Sequence, residues 1–287
     1  MNSYKRLLWA LRKIRLPVDD SAIVLDVGSG GNPHPRADVL IDRLSGAEHR
    51  GGDPMLIDRP AIIGDATKLP FKDKCFDYVI ASHVLEHMPN PEIFLSELQR
   101  VSKAGYIETP NFMCERLLPS RAHCLEIAIS KNTLQIHKKK SHLIDSFIAE
   151  LDFLENDKKW GILYFKDPEL FHARYFWSGE INYKILNPET SCEWIQDVYN
   201  NSASKNEVVA MQERKISWRS IGSEFYESIQ RVKRKSRLKN FNLKEVLVCP
   251  ECKGGLISIE KNLHCPMCKL TYSTAPHINF ENSVSCG

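Results

Sequence analysis

Short apolar runs recur from Val24 to Asn111, and the first three end on acidic or small residues. Val24-Leu25-Asp26-Val27 leads into Gly28-Ser29-Gly30-Gly31, Val39-Leu40-Ile41 into Asp42, and Ile62-Ile63 into Asp65-Ala66. Phe76 to Ala81 is nearly continuous in apolar residues, as suits a parallel strand buried on both faces. The period then changes. Ile93, Phe94, Leu98 and Val101 recur at helical spacing, with Asn90-Pro91 as a start that puts Pro91 at the first helical position, and Gly105 as a stop. A further strand runs on to Asn111, so strands alternating with helix predict an α/β fold around a parallel sheet.

Between Gly28 and Val39 there is barely the roughly 10 to 12 residues that a parallel crossover needs, and this stretch contains Pro33 and Pro35. No full helix fits there, and the following connection, SGAEHRGGDPMLIDRP, is equally poor helix material. The first half of the sheet is therefore expected to lack two covering helices. Residues 3–16 can supply cover, because Leu7, Leu8, Leu11 and Ile14 form an apolar stripe edged by Lys5, Arg6, Arg12 and Lys13. Attachment to a membrane surface is the alternative use of that stripe. Further on, Arg174 to Ile185 reads as strand, Ser-Gly turn and strand, a hairpin that would end the sheet. A helix expected from about Ser223 finishes in a basic run of Arg231, Lys233, Arg234, Lys235, Arg237 and Lys239. That run is either the solvated face of a linker or a contact for RNA, phosphoglycan or anionic lipid.

The glycine turn carries the first chemistry. Glycines at 28, 30 and 31 let the backbone approach a ligand closely, and Asp42 can accept hydrogen bonds from both hydroxyls of a ribose. A dinucleotide fingerprint wants a glycine where Pro33 stands and an acid about 20 residues beyond the turn, while a P-loop needs a Gly-Lys-Ser/Thr ending that is missing. A cofactor with an amino-acid tail fits better, its ammonium group suiting Asp26. With VLDVGSG at the first strand and VLEH after the fourth, residues Ser21 to Asn111 resemble the class I S-adenosylmethionine-dependent methyltransferases. The resemblance implies that Asp26, Gly28 and Gly30 surround the methionine moiety, Asp42 holds the ribose, Asp65 and Ala66 meet the adenine edge, and Ser82 and His83 lie near the sulfonium. A carboxylate against that cation would stabilise the ground state more than the transition state, so His83 and His87 are better candidates for a general base than Glu86. The chain has ASHVLEH where related enzymes that methylate planar nitrogens have Asn-Pro-Pro-Tyr, which points away from adenine, cytosine or glutamine as acceptor. Acceptor chemistry is expected from the segment Phe112 to His172, whose Trp160, Tyr164, Phe165 and Phe171 either line a pocket or pack a core.

Near the other end, CPEC at 249–252 and CPMC at 265–268 enclose twelve residues. Two such pairs suit a closed tetrathiolate zinc site through Cys249, Cys252, Cys265 and Cys268, without the single CxxC of a redox motif; a small core of four thiols is the plainer alternative. His264 is a further donor but reads as an ordinary surface histidine. From Lys244 to Phe280 the chain resembles the zinc-ribbon domain that activates tRNA, rRNA and release-factor methyltransferases, through its CPxCKG start and late Tyr-x-x-x-x-x-Ile turn. That implies a stabilising partner, here fused to its enzyme.

Composition narrows the setting. The 287 residues with 43% hydrophobic content allow one α/β core plus a small appendage that zinc would help to fold, and a net charge of +3 does not call for nucleic acid. Of nine cysteines, Cys75, Cys114, Cys124, Cys192 and Cys286 lie scattered outside the pairs. With no membrane-spanning run and no signal peptide, this predicts a reducing, cytoplasmic setting. The expected architecture is a Rossmann-like methyltransferase sheet with reduced first and second helices plus a C-terminal zinc ribbon. Its divisions are an S-adenosylmethionine-binding domain over 1–190 with a substrate insert at 112–172, a linker with the basic helix over 191–243, and the ribbon over 244–280. The expected activity is O-methylation of a small molecule or glycan precursor; methylation of RNA or a translation factor, and a non-catalytic cofactor-binding scaffold, are the alternatives.

Overall fold

The structure, a computed structural model, describes residues 15–43, 54–145, 148, 160, 162–163, 167–203 and 218–285. Apart from Arg15 and Leu16, the helix expected over 3–16 lies outside the described residues, as do Tyr164, Phe165 and Cys286. Strands β1 (Val24–Val27), β2 (Val39–Asp42), β3 (Ala61–Ile63) and β4 (Phe76–Ser82) are followed by helix α1 (Pro91–Val101) and β5 (Ser102–Pro110). Next come α2 (Phe112–Leu117), β6 (Leu125–Ser130), β7 (Thr133–Lys138), β8 (His172–Ser178), β9 (Tyr183–Ile185) and α3 (Ile195–Ala203). The chain ends with α4 (Trp218–Leu238), α5 (Leu243–Val246), β10 (Ile257–Ile259), β11 (Asn262–Cys265), β12 (Leu270–Ser273) and β13 (Ile278–Ser285). Among the described residues no helix is long and apolar enough to cross a membrane.

Two compact units share this chain. One contains Pro17–Ile80, Glu92–Gly105 and Val209–Gly287; the other contains Met1–Leu16, Ala81–Pro91 and Tyr106–Val208. In the former the strand order is β10-β11-β12-β13-β3-β2-β1-β4-β5. β1 and β2 pair in parallel with Asp26 opposite Leu40, and β2 and β3 with Leu40 opposite Ala61. Val24, Leu25, Val39, Leu40, Ile41, Ile62 and Phe76 are almost fully buried, which is why these strands read as unbroken apolar runs. As expected, no helix links β1 to β2.

Helix α4 corrects the reading of the basic run. It covers Trp218–Leu238 and so includes Ser223, and the cations of the run divide by face: Arg231, Lys233 and Lys235 on the helix and Lys239 just past its end are exposed, whereas Arg234 and Arg237 are buried. Arg234 donates to the carbonyls of Ala37 (3.0 Å) and Pro35 (3.1 Å) in the helix-less connection. Arg237 grips Asp38 Oδ1 through Nε at 2.8 Å and Nη2 at 2.7 Å. Asp38 Oδ2 takes Arg36 Nη1 at 2.8 Å and the amide of Val24 at 3.0 Å, so a wholly buried carboxylate ties α4 to the start of β1. Two of the six cations in the run are thus internal bracing for the sheet.

The cysteine-bearing segment belongs to the same unit. β10 to β13 form an antiparallel meander, and β13 joins the edge of the parallel sheet in register with β3, Ile278 opposite Ile62 and Asn279 opposite Ile63. Backbone bonds from Val248 N to Pro70 O (3.0 Å) and from Lys72 N to Val246 O (2.8 Å) continue the junction. Lys253 Nζ donates to Glu97 Oε2 on α1 at 2.9 Å and to Leu69 O at 3.2 Å. Gly64 sits where β3 leaves this junction; a Cβ there would lie 3.3 Å from Ile41 Cδ1 and 3.8 Å from Phe280 Cβ.

In the other unit the far end of β5 is flanked by β8, and β6, β7 and β9 form a separate three-stranded sheet. β6 and β7 make an antiparallel hairpin whose turn residues Lys131 and Asn132 both have positive φ (48° and 56°), as a two-residue turn matched to strand twist requires. The expected hairpin over Arg174–Ile185 does not form as one unit. Gly179, at φ 78°, redirects the chain so that β9 pairs in parallel with β7. Of the insert's aromatic residues, Phe171 is buried and Trp160 meets its ring edge to face at 5.2 Å, which is core packing.

Candidate functional site

The residues expected to hold the cofactor lie at the carboxyl ends of β1, β2 and β3, where open α/β sheets bind ligands. Gly28 and Gly30 take positive φ (70° and 54°), and Asp42 Oδ2 accepts the Gly30 amide at 2.9 Å, so the acid that closes β2 holds the turn that follows β1. Asp26 is buried and its Oδ2 accepts the His34 amide at 2.8 Å; burial pushes its carboxyl up to about 7. Asp65 Oδ1 accepts both the amide and the hydroxyl of Thr67 at 2.7 Å, which fixes the turn carrying Ala66.

Ser82, His83 and His87 fall in the other unit, on the chain that leaves β4. His83 has φ 58°, a left-handed conformation rare for a residue with a Cβ, and its amide donates to Glu108 O at 2.7 Å. Its Nδ1 lies 3.1 Å from Glu86 Oε1 and its Nε2 3.9 Å from Glu108 Oε1. Ser82 Oγ donates to the same Glu108 Oε1 at 3.4 Å. Glu108 also accepts the Tyr106 hydroxyl and pairs with Arg174 Nε at 3.3 Å, while His172 meets the His83 ring edge to face at 5.5 Å. Burial alone would raise the Glu86 carboxyl, but the hydrogen bond from His83 and the charges of His83, His87 and His123 carry it below the usual range. Sequence reasoning missed Glu108, Tyr106, Arg174 and His172. The available signal was Glu108 itself, a charged residue directly after the apolar pair Tyr106-Ile107 near the end of β5.

His87 does not join His83 at Glu108. It ends a 3-10 turn (Leu85–His87), with Nδ1 2.8 Å from Ala122 O and 3.0 Å from the Tyr199 hydroxyl, and burial pulls its pKa down.

Cys249, Cys252, Cys265 and Cys268 bring their four sulfurs within 4.8 Å of one another. Cys249 to Cys268 is 4.0 Å and Cys252 to Cys265 3.5 Å, close to the edge of roughly 3.8 Å expected for a tetrahedron with Zn–S near 2.3 Å. The two knuckles repeat one geometry. Lys253 N donates to Cys249 O (2.8 Å) and Lys269 N to Cys265 O (2.9 Å), each lysine being left-handed, and the amides of Gly254 and Cys268 reach Cys252 Sγ and Cys265 Sγ at 3.4 Å. A Cβ at Gly254 would come within 3.2 Å of Cys252 Sγ. This set fits a zinc ion. His264 stays outside it, with Nδ1 3.1 Å from Thr271 Oγ1.

The order β3-β2-β1-β4-β5 with a glycine turn after β1 defines a Rossmann-like sheet, carrying a four-thiol ribbon on its β3 edge. Residues 42–107 match the family model of a methyltransferase domain, and residues 240–273 match that of Trm112p-like proteins. The chain thus joins a stretch similar to a methyltransferase domain to one similar to Trm112p-like proteins. Demethylmenaquinone methyltransferase from Renibacterium salmoninarum is 39% identical over 88 residues, 29% of this chain and 37% of that protein. The enzyme of the same name from Streptomyces avermitilis is 52% identical over 46 residues, 16% of this chain and 20% of that protein. The chain therefore spans well under half the length of these curated relatives. A solved complex of the Haloferax volcanii Trm112 methyltransferase activator with a putative methyltransferase aligns with 18% identity and a TM-score of 0.30, over 44% of this chain and 69% of that one.

Proposed function

We propose that the chain is an S-adenosylmethionine-dependent methyltransferase, braced by a zinc-bearing ribbon, that methylates a hydroxyl of a small molecule or glycan precursor. The observation that carries this is the Asp42 grip on the Gly28–Gly30 turn, in a chain whose residues 42–107 are similar to a methyltransferase domain. When bound, S-adenosylmethionine supplies a methyl group activated by its sulfonium. Asp42 orients the ribose, Asp26 meets the ammonium of the amino-acid tail alongside Gly28 and Gly30, and the fixed turn at Asp65-Ala66 borders the adenine.

His83 removes the acceptor's proton. Nδ1–H directed at Glu86 leaves Nε2 to accept, and the two carboxylates stabilise the imidazolium that forms. His87 is poorly suited to the same role, because burial pulls its pKa down and disfavours the imidazolium that a base must become. Zinc on Cys249, Cys252, Cys265 and Cys268 supplies folding energy and no open coordination position. RNA or a translation factor as substrate is less supported, because Arg234 and Arg237 are spent on Ala37, Pro35 and Asp38. Carbon methylation of a small hydroxylated ring is a second reading, favoured by the relatives named demethylmenaquinone methyltransferases.

Calorimetry is expected to give binding of S-adenosylmethionine and S-adenosylhomocysteine and none of NAD. A screen of metabolite and RNA pools with isotopically labelled cofactor should then place label on a small molecule. NAD binding without response to either adenosyl ligand would overturn the cofactor assignment. Cofactor binding without product on any pool would favour the scaffold, and label on RNA would overturn the acceptor class.

A further inference from the structure

Below the 3-10 turn Leu85–His87 lies a second group of metal-competent side chains, wholly within one unit. A carboxylate oxygen of Glu86 and one ring nitrogen each of His87 and His123 lie within 4.8 Å of one another. The His87 and His123 rings pack edge to face with centroids 4.8 Å apart. We infer that Glu86, His87 and His123 bind a divalent first-row transition-metal ion, separate from the four thiols and independent of the methyltransferase reading.

Two observations beyond proximity carry this. The first is Glu86. Its residue is 1% exposed, and while Oε1 faces His83 Nδ1 at 3.1 Å, Oε2 is buried with no hydrogen-bond partner among the described residues. Buried carboxylate oxygens are seldom left so, since the unmet desolvation costs on the order of 1–3 kcal/mol or more. The ion pair with His83 explains one oxygen and leaves the other for a cation.

The second is how the two histidines are held. His123 Nδ1 lies 2.6 Å from Glu115 Oε2, and His87 Nδ1 lies 2.8 Å from the carbonyl of Ala122. A carbonyl can only accept, and a carboxylate accepts, so each ring carries its proton on Nδ1 and presents the lone pair of Nε2. Metal-binding histidines are characteristically fixed through the other nitrogen by a carboxylate or a backbone carbonyl, and here one example of each occurs. Glu115 is itself held by Lys139 Nζ at 2.9 Å and the Ser120 amide at 3.2 Å, and the Cys124 amide donates to Glu86 O at 2.8 Å, pinning the His123 loop to the turn. Ligand atoms around a four-coordinate ion at about 2.0–2.1 Å are separated by roughly 3.3 Å, so rotation of the side chains by about an ångström closes the set. Two imidazoles and one carboxylate suit zinc or iron(II) and leave at least one coordination position for water or another ligand. The His123 side chain is 17% exposed, which gives the ion a route in.

The test is a metal count on the reduced full-length chain, saturated with zinc, passed through a desalting column and measured by elemental analysis. Wild type is expected to hold two zinc ions per chain, and His123→Gln and Glu86→Gln one each, with circular dichroism verifying their fold. Cobalt(II) added to protein with a zinc-filled ribbon should give visible d–d bands without thiolate charge transfer. Glu115→Gln, which touches only the support of His123, should weaken that binding roughly 10–100-fold while leaving the saturated count at two. One zinc per wild-type chain, or two retained by His123→Gln, overturns the inference even if another variant fails to fold.

Discussion

Arg237→Met removes a strut while keeping most of its apolar stem. In the wild type, Asp38 Oδ1 receives a hydrogen bond from Arg237 Nε and lies 2.7 Å from Nη2 in an ion pair, whereas Oδ2 receives Arg36 and the Val24 amide. After substitution Oδ1 faces methionine in a site with no solvent exposure. Hydrogen bonds to charged groups contribute about 1.5–3 kcal/mol, and breaking a buried pair costs about 3–5 kcal/mol; Arg36 still neutralises Asp38, so the expected loss is about 3 kcal/mol. Lys235 lies on the same helix but is exposed, and Lys235→Met should change stability by less than about 0.5 kcal/mol. The assay is urea unfolding of the zinc-saturated chain followed by tryptophan fluorescence. With a slope near 2 kcal/mol per molar, the Arg237→Met midpoint falls by roughly 1.5 M at unchanged slope. A midpoint indistinguishable from that of Lys235→Met would refute the bracing role and return the run to a surface function.

Four further outcomes follow from named contacts. Asp42→Ala should weaken S-adenosylmethionine binding by about 1.5–3 kcal/mol in calorimetry, and undiminished affinity would mean that the ribose partner is misassigned. Asp26 titrates near 7 when folded, above the ordinary carboxylate range, so its contribution favours the folded apo chain at low pH and declines as pH rises from about 4 through 7. Melting curves of wild type against Asp26→Asn should diverge across that window and run parallel above it, while a constant difference at all pH values would refute the assignment. Cys252→Ser should cost one zinc ion and speed amide exchange in β10–β13 and along β3, an outcome negated by full protection in metal-free protein. His83→Ala should lower turnover by about 10²–10⁴-fold with cofactor affinity retained; near-normal turnover would exclude it as the base.

The elements most legible from sequence were those whose pattern is local. β1, β4 and α1 follow from apolar runs and a helical period, and the two CxxC pairs announce their own geometry. What stayed hidden depends on distant partners. Asp38 and Arg237 are 199 positions apart, and nothing near Arg237 distinguishes it from exposed Lys235. The β6–β7 hairpin had its alternation in LEIAIS and TLQIHK around Lys131-Asn132, but β9, which completes that sheet, joins from about fifty residues on. Glu108 and Arg174 meet because β8 lies beside β5, a neighbour relation no periodicity encodes.

The pairing of β13 with β3 takes on a different meaning once both strands are recognised as parts of one polypeptide. An uncovered edge strand is a template for indiscriminate pairing with other chains. If the cover were a separate polypeptide, occupancy of the edge would follow mass action, and a diluted or undersupplied cover would leave it bare. Here each copy of β3 is translated with its own cover, so the pairing is intramolecular. Coverage is thereby independent of expression level and fixed at one lid per edge, and a free ribbon from another source must outcompete an intramolecular rival before it can dock.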